Sequence, residues 1–126
     1  MTKLLVVEDD ANQRRLYEQE LADEGYEVQT AGSGKEALAQ IGQARPDLVI
    51  MDISMPGMDG IEALGKVLGV DNTIPVILNT AYANYKDNFL SWAADAYVVK
   101  SSDLTELKAT IKSVLKKRAE EGGKGR

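Results

Sequence analysis

The sequence predicts an α/β domain of the doubly wound kind, a single parallel sheet with helices on both faces. Three observations lead there. Short apolar runs alternate five times with segments of helical character, the pattern of βα units. Runs such as Leu4–Val7 and Leu48–Met51 are apolar at every position, as strands buried on both faces must be. A chain of 126 residues suits one such domain, large enough to bury roughly two thirds of its unfolded surface.

Each element has its own signal. Leu4–Val7 reads as the first strand. From Asn12 to Glu24, Leu16, Tyr17 and Leu21 recur at helical spacing, and Gly25 stands where a C-terminal glycine belongs. Tyr26–Ala31 is the second strand. Ser33 with Glu36 three residues later forms a capping box, opening a helix through Ile41. Pro46 and Asp47 break the chain before the strand Leu48–Met51. The stretch Ser54–Gly60 holds Pro56, Gly57, Asp59 and Gly60 and is a loop. Ile61–Leu68 is a short helix, and Val76–Leu78 a strand behind Pro75. Asn84–Trp92 reads as a weakly patterned fourth helix, and Ala96–Val99 as the fifth strand. Asp103 and Glu106 cap a last helix whose stripe is Leu104, Leu107, Ile111, Val114 and Leu115. The domain is expected to span residues 1–119, with 120–126 a flexible, charged, glycine-rich tail.

Composition narrows the chemistry. The chain has no cysteine and no histidine, so thiol nucleophiles, disulfides, zinc–thiolate sites and an imidazole base are excluded. The net charge of −5 argues against direct nucleic-acid binding, which goes with a basic surplus. No apolar run approaches the ~20 residues that span a bilayer, and Leu4–Val7 is too short for the apolar core of a signal peptide. A cytoplasmic location is expected, with no membrane partner.

In a parallel sheet of this kind, ligands bind beyond the carboxyl ends of the strands. Glu8, Asp9 and Asp10 follow the first strand and Asp52 the third; Asn79–Thr80 follow the fourth, and Lys100–Ser101–Ser102 the fifth. One end of the sheet thus gathers four carboxylates, a hydroxyl and a lysine. Carboxylates so placed protonate or recruit a cation, and an oxygen-only donor set favours Mg2+. A carboxylate beside Mg2+ and a lysine can accept a phosphoryl group, with Thr80 donating a hydrogen bond. Asp10 and Ser102, each taken alone, serve equally well as helix caps.

These residues, in this order, resemble the response-regulator receiver family of two-component signalling. The likeness runs from about Lys3 to Lys117. It rests on Glu8-Asp9-Asp10, the segment Asp47–Asp52, the following Met55-Pro56-Gly57-Met58-Asp59-Gly60, then Asn79-Thr80-Ala81 and Ala94–Lys100. Thr80 lies 28 residues and Lys100 48 residues after Asp52, the spacing of that family. The resemblance implies a flavodoxin-like (βα)5 fold with strand order 2-1-3-4-5. It implies phosphorylation on Asp52 by a sensor histidine kinase or a histidine phosphotransfer protein, with one Mg2+ per domain. Asp10 and Asp52 would ligate the metal directly, the carbonyl of Ser54 would add a ligand, and Asp9 would act through a metal-bound water. Lys100, Thr80 and Ala81 are the implied phosphoryl-binding positions. Tyr97 matches an aromatic switch whose ring moves inward on activation. The fourth helix, fifth strand and fifth helix would form the surface offered to a downstream protein target or effector domain. Such a protein is a signalling switch, not an enzyme, beyond its own phosphoryl transfer and dephosphorylation. Ser101 stands where the family has proline, so a trans peptide is expected after Lys100. Ala93 replaces a common glycine.

Two other readings compete. Gly32-Ser33-Gly34-Lys35-Glu36-Ala37 fits the dinucleotide pattern G-x-G-x-x-A, with Asp52 twenty residues past Gly32. It follows the second strand rather than the first, beside an acidic strand end that would repel a pyrophosphate, and it leaves Thr80 and Lys100 unexplained. It fails as a P-loop, because Gln29 and Glu36 occupy required Gly and Ser/Thr positions. A Mg2+-dependent aspartyl-phosphate hydrolase would share the Asp nucleophile, but it commonly has a second acid two residues on, where Ser54 stands. Whether the chain is a stand-alone receiver or one part of a longer regulator is left open by the sequence.

Overall fold

The computed structural model describes residues 1–52, 60–71, 73–81 and 94–121, with no side-chain detail for 60–64. Its strands are β1 (Lys3–Val7), β2 (Glu27–Ala31), β3 (Leu48–Met51), β4 (Val76–Thr80) and β5 (Ala96–Val99). Helices α1 (Ala11–Asp23), α2 (Gly34–Gln43) and α3 (Gly60–Val70) precede a C-terminal helix, Thr105–Glu120. The expected fourth helix at Asn84–Trp92, Ser54 and residues 122–126 lie outside the described residues.

All strand pairs are parallel, and the sheet order is β2-β1-β3-β4-β5, as the resemblance implied. Strand order reverses between β1 and β3, which opens a crevice at their carboxyl ends. Side chains of successive strand residues point to opposite faces, and two cores result. Leu5, Val7, Val49, Met51, Val76, Leu78 and Tyr97 meet Ala37, Ile41 and Val67 of α2 and α3. On the other face Leu4, Val6, Leu48, Ile50, Ile77 and Val98 meet Tyr17 and Leu21 of α1 and Leu107, Ile111 and Val114 of the C-terminal helix.

The helix ends largely follow their signals. Asp10 caps α1, its Oδ1 accepting from the amides of Asn12 at 2.9 Å and Gln13 at 3.1 Å. Gly25, at φ 96°, takes the left-handed turn after α1 that a side chain would resist. Ser33 Oγ accepts the Glu36 amide at 3.1 Å; the Glu36 carboxylate reaches past it to the Gly32 amide at 2.9 Å. The C-terminal helix departs from its signal: Leu104, not Asp103, is its N-cap and makes no side-chain capping bond, while Asp103 accepts from the Thr105 amide at 2.9 Å. Two further differences from the sequence reading stand out. Leu16 is exposed while its neighbours in the pattern, Tyr17 and Leu21, are buried. And β4 continues through Asn79 and Thr80, because β5 pairs with them at Val98 and Val99.

Ion pairs from Lys108 to Glu20 (2.8 Å) and Lys112 to Glu24 (3.4 Å) join the C-terminal helix to α1. At the amino ends of the strands, Asp71 accepts from Thr73 and from Arg45 Nε, the latter at 2.7 Å. The Thr73 hydroxyl, followed by the guanidinium of Arg45, holds the Asp71 carboxyl down at about 2.

Two outcomes are expected in denaturation experiments. Leu21→Ala, at a fully buried site, should cost about 2–5 kcal/mol, while Leu16→Ala should change stability by less than about 0.5 kcal/mol; urea titrations separate the two. Because the folded Asp71 carboxyl is held below its ordinary 3.8, its contribution is complete above that value and vanishes as pH falls toward 2. Asp71→Asn should therefore flatten the acid side of the stability–pH curve, by no more than about 1 kcal/mol at this partly exposed pair.

Candidate functional site

Three strands deliver the site. Glu8 leaves β1 with its amide bonded to the Ala31 carbonyl of β2 at 3.0 Å. Asp52 leaves β3 with its amide on the Val7 carbonyl at 3.1 Å, so the ends of β1 and β3 are laced together. Lys100 leaves β5 with its amide on the Thr80 carbonyl at 2.7 Å, which aligns it with the end of β4. The Lys100–Ser101 peptide is trans, as expected for a bond before serine.

The side chains then converge. Lys100 Nζ donates to Asp52 Oδ2 at 2.7 Å and to Glu8 Oε1 at 2.5 Å. Both carboxylates are almost wholly buried, at 6% and 2% exposure. Burial pushes the Glu8 carboxyl up, and the Lys100 ammonium pulls the other way without cancelling it. Burial alone would depress the Lys100 ammonium, but its hydrogen bonds to Asp52 and Glu8 outweigh that and leave it above its ordinary value. The lysine is therefore firmly protonated.

Carboxylate oxygens of Glu8, Asp9 and Asp52 lie within 4.8 Å of one another. Asp9 is exposed and Glu8 and Asp52 are buried, so the group opens to solvent on one side only. Three grouped carboxylates, two of them on one ammonium, leave negative charge to be met, and an all-oxygen donor set suits a hard divalent cation. The residues fit Mg2+.

The sequence reading placed Asp52 and Lys100 together, and they are in contact. Thr80 is buried at the end of β4, and Ala81 follows it, exposed. Tyr97 is buried in the core on the α2–α3 face. Asp9 is in the carboxylate group. Asp10, expected as a direct ligand, lies outside that group: its Oδ1 accepts from two α1 amides and the residue is exposed. Glu8 is in the group instead. The two lie two positions apart, on either side of Asp9. β1 ends at Val7, so Glu8 is the first residue beyond the strand and turns inward, whereas Asp10 directly precedes α1, where an N-cap acceptor is favoured. That capping position was the available signal.

Tyr17 belongs to the surroundings of the site, although the sequence marked it only as core. Asn79 Nδ2 donates to Tyr17 Oη at 3.1 Å, within the interior. Burial raises the Tyr17 phenol, against the Asn79 donor. Beside it a cavity of about 310 Å3 is lined by Gln13, Leu16, Tyr17, Lys100, Ser101 and Ser102. The competing G-x-G-x-x-A segment is otherwise occupied: the Gly32 amide already has the Glu36 carboxylate as its acceptor, where a dinucleotide phosphate would have to sit.

Removing the shared cation should expose the tension it relieves. In metal-free buffer, Lys100→Met should lower stability by about 3–5 kcal/mol, since it leaves buried carboxylates unpaired. Adding Glu8→Gln to that variant should restore part of the loss, and urea unfolding of the two variants and the parent measures the coupling.

Comparison with known proteins agrees with this geometry. Residues 4–112 match the family model described as the response regulator receiver domain. The transcriptional regulatory protein PrrA of Mycobacterium leprae is 37% identical over 118 residues, covering 92% of this chain and 51% of PrrA. The chain thus spans about half the length of that relative. Among solved structures, the response regulator TrrA of Thermotoga maritima in complex with Mg2+-BeF superposes with a TM-score of 0.84 at 46% identity, covering 90% of this chain and 98% of TrrA. TrrA in complex with the histidine kinase ThkA gives the same score and identity, at 91% and 99% coverage. The sheet and its helices are a shared architecture, and this chain is a member of the response regulator receiver domain family.

Proposed function

We propose that this chain works as a phosphoryl-accepting switch, with Asp52 as the sole acceptor and a histidine kinase or histidine phosphotransfer protein as donor. The observation that carries the reading is the contact between the buried Asp52 carboxylate and the Lys100 ammonium, at 2.7 Å, inside a group of three carboxylates. That TrrA is seen with a histidine kinase and with Mg2+-BeF supports it.

In this reading an Asp52 oxygen attacks the phosphorus of a phosphohistidine. A P–O bond forms as the P–N bond breaks, and the departing imidazole takes up a proton from solvent. Lys100, protonated and already at Asp52, offers its ammonium to the phosphoryl oxygens. It does so without losing a solvation shell, because burial has already removed most of its water. Glu8, Asp9 and Asp52 would hold Mg2+, with the Ser54 carbonyl as a further ligand. When bound, the metal supplies positive charge against the phosphoryl oxygens. Thr80, at the end of β4, would hydrogen-bond the phosphoryl group, with Ala81 beside it. Tyr97, on the neighbouring β5, would carry the change toward the output surface.

Output passes to a downstream protein target or an effector domain. Among the described residues no helix is long and apolar enough to cross a membrane, and a cytoplasmic setting is part of the proposal.

The test uses a small phosphodonor. Acetyl phosphate with Mg2+ should add one phosphoryl mass to the intact protein. Asp52→Asn should abolish the addition, as should chelating the metal, and Thr80→Ala should leave acceptance intact while blunting the fluorescence response of Trp92, the single tryptophan, to beryllofluoride. Stoichiometric phosphorylation of Asp52→Asn at another residue would overturn the assignment.

A further inference from the structure

Arg14 lies behind the carboxylate group and holds the backbone that carries it. Its Nη1 donates to the carbonyl oxygens of Glu8 at 2.8 Å and Asp9 at 3.0 Å. Its own amide donates to the Asp10 carbonyl at 2.9 Å. Three consecutive carbonyls, from residue 8 to residue 10, are thus fixed by one residue of α1. Two of those residues supply carboxylates to the site.

The room for this guanidinium comes from the turn just after β2. A Cβ at Gly32 would stand 3.2 Å from Arg14 Nη1 and 3.5 Å from its Cζ, with Glu36 Oε2 also at 3.5 Å. Gly32 is held in turn: its amide is bonded to Glu36 at 2.9 Å. Gln40 Nε2 donates to the Thr30 carbonyl at 2.8 Å and to Glu36 Oε1 at 3.4 Å. Gly32 has no positive backbone φ, so the demand for glycine here is one of space, and Arg14 is what fills it.

We propose that Arg14, seated over Gly32, is a positioning residue that sets the geometry of the Glu8–Asp9 loop and thereby its affinity for a divalent cation. The inference rests on the cation reading above. Two effects of the guanidinium oppose each other. Its charge repels a cation, while its paired hydrogen bonds hold the ligand backbone in place. Lysine keeps the charge but puts a rotatable ammonium on a flexible stem where Arg14 has a planar, fixed Nη1 donating to both carbonyls. Glutamine removes the charge. If positioning dominates, both replacements weaken binding; if charge dominates, glutamine strengthens it and lysine changes nothing.

Calorimetric titration of the full chain with MgCl2 alone decides between them. The expected result is that Arg14→Lys and Arg14→Gln each weaken Mg2+ binding about tenfold or more, the range seen when groups that orient metal ligands are lost. Gly32→Ala, which crowds the guanidinium and Glu36 but none of the site carboxylates Glu8, Asp9 and Asp52, should weaken it too. Combined with Arg14→Gln it should add little, because the side chain it displaces is gone. Circular dichroism checks that each variant is folded. Unchanged binding in Arg14→Lys, tighter binding in Arg14→Gln, or additive losses in the double variant would each overturn the role of Arg14. A parent protein that takes up no Mg2+ would overturn the cation reading and this inference together.

Discussion

One ammonium between two buried carboxylates sets the terms for the rest of this molecule. Glu8 comes from β1, Asp52 from β3 and Lys100 from β5, so the contact spans the width of the central sheet. Burying two acids with a single base is tolerable only if the distances are short and the lysine cannot wander. The sheet meets that demand through its register. β3 lies between β1 and β4, and β4 pairs with β5 out to Thr80, whose carbonyl receives the Lys100 amide. The extension of β4 by two residues beyond its apolar run is therefore part of the site. Asn79 and Thr80 are polar residues inside a sheet because the strand must reach that far.

Much of this was readable from the amino acids. Runs apolar at every position signalled parallel strands, and Asp52 and Lys100, each at a strand end, were recognisable as partners from their types alone. The acidic run after β1 was harder. Glu8, Asp9 and Asp10 are chemically similar, and only the exact end of β1 and the exact start of α1 decide which of them enters the site and which caps the helix. The hydrogen bonds of Asp10 to α1 amides show how local helix capping competes with the site for the same kind of oxygen. Arg14 was illegible for a different reason. Its partners are backbone carbonyls and a glycine in the turn after β2, and neither leaves a mark in composition or periodicity.

The two ends of the sheet divide the labour. At the carboxyl ends, charge is concentrated, buried and short of cations. At the amino ends Asp71 and Asp95 each have an arginine. Arg45 meets Asp71, and Arg118 reaches Asp95 at 3.2 Å and the Thr73 carbonyl at 3.1 Å. Asp95 also accepts the Val76 amide at 2.8 Å, tying the start of β4 to the turn before β5. A fold anchored at one end can carry electrostatic tension at the other without losing register.

The hydrogen bond between Tyr17 and Asn79 has a consequence for descent. It joins residues 62 positions apart, both interior. A phenylalanine at 17 would strand the amide of Asn79 in the core, and an aliphatic residue at 79 would strand the phenol of Tyr17. Either single step leaves a buried polar group without its partner. Exchange of both for apolar side chains of similar volume would be nearly neutral. The two positions are thus coupled in inheritance: sequences that diverge from this one should keep both members or replace both, and lineages holding only one should be rare and short-lived.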